Sequence, residues 1–459
     1  MLKLFVLAFS ALFALAAYAL PRQTPPAGGT PKKFELPSRR SFTLDNGLCV
    51  TMVNFGNTPK VTIELVVSAG NIDEAADQIW LADLTGMLMK EGTSSMSSDQ
   101  IAEKLAGMGG QLDIGVGPDQ TTISTDVLAE FGPEAIGILA DVVQGPLLPE
   151  SEIERLKNDL IRRSSIQQSR PQSQALQKFR SALYGDHPYG RVFPTDEMLA
   201  GFTLDDVKKF YADNFGAGRA RLYVAGVFDP DQAESALREA FSAWDAGPAV
   251  VENVPSPSSS RRVLLVDRPG AMQSTIYLGL PVVGPTSDDW IRLSVTNMLL
   301  GGMFMSRITT NIREDKGYTY SPRSSVSVRY RDAYWAETAD VATDVTYPAL
   351  KEIFYEIDRL QSEPPGEEEL QGVKNYAAGR FVLQNSDRGG IIGMLAFMDL
   401  HGLPVSYLEN YTANVMAVTP EQVQKMTSEY LRDQDMTLVV VGDKAKIAGS
   451  LAGFGPVGD

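Results

Sequence analysis

The sequence predicts an α+β protein of two tandem homologous domains, each a mostly antiparallel sheet with helices packed on it. Three observations carry this. A helix–strand unit occurs twice: FTLDDVKKFYADNF (202–215) runs soon into RLYVAGVFDP (221–230), and VTPEQVQKMTSEYL (418–431) into TLVVVGD (437–443). Thr203, Val207 and Gly226 recur as Thr419, Val423 and Gly442 at a constant offset. Two openings also match, LCVTMVNFGNTPKVTIELVVSAG (48–70) and VLLVDRPGAMQSTIYLGLP (263–281), each reading as two strands around a turn. Lastly, a Pro/Ser-rich stretch, ENVPSPSSSRR (252–262), parts the two copies.

In chain order, Lys3 precedes an apolar run, LFVLAFSALFALAAYA, that closes on Ala17-Tyr18-Ala19. A basic start, a short apolar stretch and small closing residues form a secretory signal pattern. The run is shorter than the roughly 20 residues a spanning helix needs. The expected divisions are a signal peptide (1–19), a flexible leader (20–34), an N-terminal domain (35–248), a linker (249–261) and a C-terminal domain (262–459). Export places the chain in a periplasm-like compartment. Cys49 is the only cysteine, so no intramolecular disulfide forms; its setting in GLCVTMV suits a small buried thiol in a strand.

Within the first domain, WLADLTGMLMKEGT (80–93) reads as a helix that is apolar nearly all round, and therefore buried. Asp83 is the one charge inside it. In both closing units, Thr with an acid or amide three residues on (Thr203 with Asp206, Thr419 with Gln422) predicts a capped helix start. In the second domain, an apolar helical run, SVTNMLL, leads into Gly301-Gly302 and a helix-like stretch carrying Arg307 and Arg313. Gly317 is a natural helix stop. Arg313 is thus expected near a helix end, with Tyr320 in the strand that follows, where the two can converge in a cleft.

Composition excludes several chemistries. A formal charge of −16 argues against sequence-independent nucleic-acid binding. The two histidines, His187 in a Gly/Pro-bounded turn and His401 at a helix end, have no zinc-helix spacing around them. No thiol nucleophile in a basic setting, G-x-S-x-G elbow or phosphate-binding Gly loop is present.

Several segments together resemble the insulinase/pitrilysin family of metallopeptidases, M16, in its short two-domain form. FTLDNGLCVTMVNFGNTPKVTIELVVSAGNIDE is similar to the family's opening segment, DHPYGR to a later landmark, and REDKGYTYS to its C-terminal RExxGxxY segment. The resemblance implies the M16/LuxS-like metallohydrolase-type architecture. It also implies a zinc helix, H-x-x-E-H, a few residues before Gly92-Thr93. Asp83 and Met87 stand at its histidine positions and Gly86 at the glutamate position; Arg162 and Arg163 occupy the region of the third ligand, a glutamate. A lone Asp83 cannot hold zinc, which takes three protein ligands.

Arg313 and Tyr320, in contrast, match the family's C-terminal pair, to which the resemblance assigns substrate positioning and oxyanion stabilisation. Gly301 and Gly302 resemble a glycine-rich loop implicated in substrate handling. The resemblance therefore implies an exported, zinc-free subunit of a heterodimeric M16 peptidase that cleaves unfolded peptides. Such a chain binds no cofactor itself, is inactive alone, and completes the active site of a partner that supplies zinc and the H-x-x-E-H motif. The competing expectation is a catalytically inert M16-like scaffold or peptide-binding protein.

Overall fold

The structure, a computed structural model, describes residues 34–458. The signal segment 1–19 and the leader up to residue 33 lie outside the described residues. Phe34, at the end of that leader, already packs edge-on against Phe381.

Alternating apolar residues build two six-stranded sheets. The first holds β1 (Arg39–Thr43), β2 (Cys49–Asn54), β3 (Lys60–Val67), β4 (Asp113–Val116), β5 (Thr121–Leu128) and β6 (Ala220–Gly226), in the order β1-β2-β6-β3-β5-β4. The second holds β7 (Arg262–Asp267), β8 (Gln273–Val282), β9 (Arg323–Arg329), β10 (Asp332–Ala342), β11 (Thr437–Gly442) and β12 (Val457–Gly458), in the order β12-β7-β11-β8-β10-β9. Five strands correspond one to one. The edge differs: β1 pairs antiparallel with β2, whereas β12 comes from the C-terminus and lies parallel to β7. Each sheet also keeps one parallel central pair, β2 with β6 and β7 with β11.

Both capped helices form as their sequences predict. Thr203 accepts from the backbone N–H of Asp206, and Thr419 from that of Gln422, each with the reciprocal bond of a capping box.

Helices cover both faces of each sheet, one face from the same half and the other from the opposite half. Val50, Met52, Ile63, Leu65, Leu222 and Val224 point into a core shared with the first half's own helices. Their neighbours Val53, Val66, Tyr223 and Ala225 face the other way, onto Ile391, Ile392 and Leu395 of the helix Arg388–His401 from the second half. The exchange is mutual. Tyr334, Ala336, Val439 and Val441 of the second sheet pack on Ala175, Phe179, Leu183 and Tyr184 of the helix Pro171–Tyr184 from the first half.

The two lent helices are pinned alike. Thr62 donates to Asp126 on the neighbouring strand at 2.7 Å, and Arg388 caps the pair at 2.8 Å. Thr275 donates to Asp340 at 2.5 Å, and Gln172 completes that pair at 2.9 Å. Further ties are Tyr223 to Asp399 at 2.6 Å and Tyr184 to Asp332 at 2.5 Å. Burial pushes the Asp332 carboxyl up to about 6, with the Tyr184 hydroxyl opposing it.

Candidate functional site

The residues Asp83, Gly86 and Met87 lie on the helix Leu81–Met89, which is buried on nearly every side. Its first turn is held from below. Trp80, the residue before the helix, has a φ of 72°, a left-handed conformation that costs a non-glycine roughly 1–2 kcal/mol. Glu74 holds it there: its carboxylate accepts from the backbone N–H groups of Trp80 at 3.1 Å and Ala82 at 2.9 Å. Burial raises the Glu74 carboxyl to about 8, against the lowering effect of these bonds and of Asn71.

Asp83 faces the helix Glu150–Gln168. There Arg163, rather than Arg162, takes the place opposite it: Arg163 Nη2 lies 2.5 Å from Asp83 Oδ1. Asn71 donates to the other oxygen at 3.0 Å. The guanidinium also lies over the Trp80 ring, 4.5 Å from its centroid. Arg162 points outward and pairs with Asp159.

Gly86 completes the picture. A Cβ placed on it would sit 2.8 Å from Val116 Cγ2 and 3.5 Å from Ile114 Cγ2, both on β4. The strand has closed over the helix where a longer side chain would need room. These residues do not fit zinc. The one carboxylate among them is neutralised by a guanidinium, and the glutamate position is filled by valine. Among the described residues no group of three His, Cys, Asp or Glu side chains is gathered to hold a metal ion.

A second cluster lies in the C-terminal half. The helix Trp290–Asn297 runs on as a wide turn, Met298–Gly302, with five-residue hydrogen-bond spacing. Gly301 and Gly302 end it because nothing larger fits. A Cβ on Gly301 would lie 2.6 Å from Ser324 Oγ and 2.7 Å from Glu337 Oε2; one on Gly302 would lie 2.7 Å from Asn297 Nδ2. Asn297 accepts from Ser324 and from the Trp335 indole, each at 2.8 Å. Glu337 is fully buried, and neither carboxyl oxygen has a hydrogen-bond partner of good geometry. Burial pushes this carboxyl well above the usual range, with the Arg323 backbone N–H as the weaker opposing influence.

Arg313 sits on another wide turn, Thr310–Asp315, which stops at Lys316 and Gly317, where φ is +64°. Asn311 anchors this turn: it donates to Glu356 at 2.7 Å and Glu352 at 3.1 Å, and accepts from Lys316 at 2.8 Å. Tyr320 lies in the loop before β9, not in the strand as its pattern suggested; Thr319 makes an isolated bridge to Val341, and the continuous ladder starts only at Arg323, after Pro322.

Arg313 and Tyr320 are nonetheless brought together, with the guanidinium 5.0 Å from the phenol ring centroid. The Tyr320 side is open, at 80% exposure. Phe304, just beyond Gly302, lies 4.2 Å from the same guanidinium. Sequence reasoning missed Phe304, although an apolar Met303-Phe304-Met305 run directly after two glycines was a visible signal. It also missed Glu74 and Asn311, whose roles depend on partners distant in sequence. Among the described residues, no hydrogen bond, ion pair or ring contact joins the Arg313 cluster to the Asp83 cluster.

Residues 50–195 match a family model described as insulinase (peptidase family M16), and residues 201–376 match one described as peptidase M16 inactive domain. An uncharacterized zinc protease of Rickettsia felis is 27% identical over 344 residues, covering 74% of this chain and 82% of that protein. Another, from Mycobacterium leprae, is 24% identical over 399 residues, covering 85% and 88%. The crystal structure of a peptidase M16 inactive domain from Pseudomonas fluorescens superposes with a TM-score of 0.81 at 24% identity, covering 88% of this chain and 98% of that one. A Helicobacter pylori protease gives 0.82 at 17% identity, covering 89% and 100%. The two adjoining family matches together span most of the described chain, and the paired sheets agree with them. The chain belongs to the M16 peptidase family, as a peptidase-like member.

Proposed function

We propose that this chain is the zinc-free subunit of a heterodimeric M16 peptidase, exported to a periplasm-like compartment, and that it completes the active site of a zinc-carrying partner. The observation that carries the reading is the contrast between the two clusters. The Asp83 helix is closed by an ion pair and by β4, while Arg313 and Tyr320 remain side by side at an open surface. A guanidinium and a phenol are both hydrogen-bond donors. Aimed at a scissile carbonyl, they stabilise the negative charge that gathers on its oxygen during attack. Gly301 and Gly302 then act by setting the backbone that leads to this surface. The zinc and the general base belong to the partner.

The test is reconstitution with an M16 subunit that carries H-x-x-E-H, followed by hydrolysis of an unfolded peptide. The pair is expected to cleave where neither chain does alone. Arg313→Ala or Tyr320→Phe should lower kcat by on the order of a hundredfold. Equal activity of the zinc subunit without this chain overturns the reading and favours an inert scaffold.

A further inference from the structure

We propose that Phe304 is a positioning residue for Arg313: with Tyr320 it holds the guanidinium plane between two aromatic rings and leaves the outer N–H edge free for a peptide carbonyl. The inference rests on the reading above, in which Arg313 meets the substrate.

The geometry leads to Phe304 in steps. Gly301 and Gly302 are fixed against Ser324, Glu337 and Asn297. Four residues on, Ser306 is buried and donates to Thr309 at 2.9 Å. Between these anchors the chain leaves Phe304 on the surface, at 60% exposure, although a phenylalanine is more stable inside. Its ring is engaged all the same: the Arg313 guanidinium carbon lies 4.2 Å from its centroid and 5.0 Å from that of Tyr320. Both distances are within cation–π reach.

Among the described residues Arg313 has one ion-pair contact, Nε to its sequence neighbour Glu314 at 3.2 Å. Among the described residues, neither of its Nη atoms is hydrogen-bonded to the protein. Ring faces attract the charge but offer no acceptor in the guanidinium plane, so the clamp orders the side chain without occupying its donors. An arginine ordered in advance loses less rotamer freedom when it meets its ligand. Donors that are already in place when charge develops are the ones that raise kcat.

The decisive substitution is Phe304→Leu, which keeps apolar bulk and removes the π face. In the reconstituted complex, kcat should fall by roughly three- to tenfold with KM changed less than about twofold. Phe304→Tyr should restore it. A second readout uses the isolated chain: phenylglyoxal modification of each arginine, followed by mass spectrometry. Phe304→Leu should speed modification of Arg313 by about two- to fivefold, a loss of the size expected for one exposed cation–π contact, with other arginines unchanged. Wild-type kcat together with an unchanged Arg313 modification rate overturns the clamp. A rise in KM alone overturns positioning and makes Phe304 a substrate contact. If Arg313→Ala leaves the complex fully active, the parent reading and the catalytic part of this one fall together, while the modification rates still report whether the clamp exists.

Discussion

Arg163 and Asp83 meet at 2.5 Å and tie the helix Glu150–Gln168 to the helix Leu81–Met89. A fixed organic cation thus links the same two helices. The isolated chain should contain no stoichiometric zinc by elemental analysis. Installing Asp83→His, Gly86→Glu and Met87→His should still give none until Arg163→Glu and Val116→Gly are added, because the guanidinium repels a second cation and Val116 occupies the room the new carboxylate needs. Zinc in the wild-type chain, or in the triple variant, would contradict this.

Arg163→Ala should destabilise the fold by about 1 kcal/mol, the scale of a partly exposed ion pair. The swapped pair Asp83→Arg with Arg163→Asp should recover part of that loss in chemical denaturation. A swap no better than the sum of the single changes would show that Trp80 stacking and Asn71, not charge pairing, hold the site.

Gly86→Glu is expected to cost about 3 kcal/mol or more, since it forces a charged chain into the space of Val116. Adding Val116→Gly should relieve much of the cost. Urea midpoints for the three proteins measure both effects.

Glu337 gives the fold a pH dependence. Its folded carboxyl titrates above the unfolded one, so the folded chain holds a proton that the unfolded chain has released. The stabilisation is complete below the usual carboxylate range and is lost as pH rises. Glu74 adds to the loss, its window running from 4.5 to about 8. The thermal midpoint should therefore drop as pH rises through the Glu74 window, from 4.5 to about 8, and drop less in Glu337→Gln. Parallel curves for the two proteins would mean that Glu337 titrates alike in the folded and unfolded chain.

Arg388→Ala should weaken the packing of its helix on the first sheet by about 1–2 kcal/mol. It also removes one of the partners of Asp126. Burial alone would raise that carboxyl, but Lys60, Thr62 and Arg388 together hold it below its ordinary value. Its stabilisation is present above the unfolded pKa and is lost as pH falls through the folded one. Acid denaturation curves should show the variant less sensitive in that range than the parent.

The features legible in the sequence were those written in local pattern. Thr203 and Thr419 announced their helices through residues three positions away. Strands β2, β3, β7 and β8 showed themselves by alternation around turns. Asp83, Gly86 and Met87 could be placed on one helix by spacing. What escaped was long-range pairing. The stripe Ala175, Phe179, Leu183 lies on the other half's sheet, and nothing local in the sequence names that partner. The matched pairs Thr62–Asp126 and Thr275–Asp340 repeat across the duplication, yet in sequence each is a Thr and a distant Asp with no common motif. Tyr320 was misplaced because the alternation around YTYS looks like a strand, and only the Arg323 pairing shows where the ladder begins.

The exchange of helices also bears on how such a chain can be divided. If the chain were cleaved within the linker 249–261, each fragment would still have its own helix seated on the other's sheet. Neither fragment would be a finished globule alone, because one sheet face in each would stand bare. Co-expressed as two pieces, they should assemble as an interlocked pair.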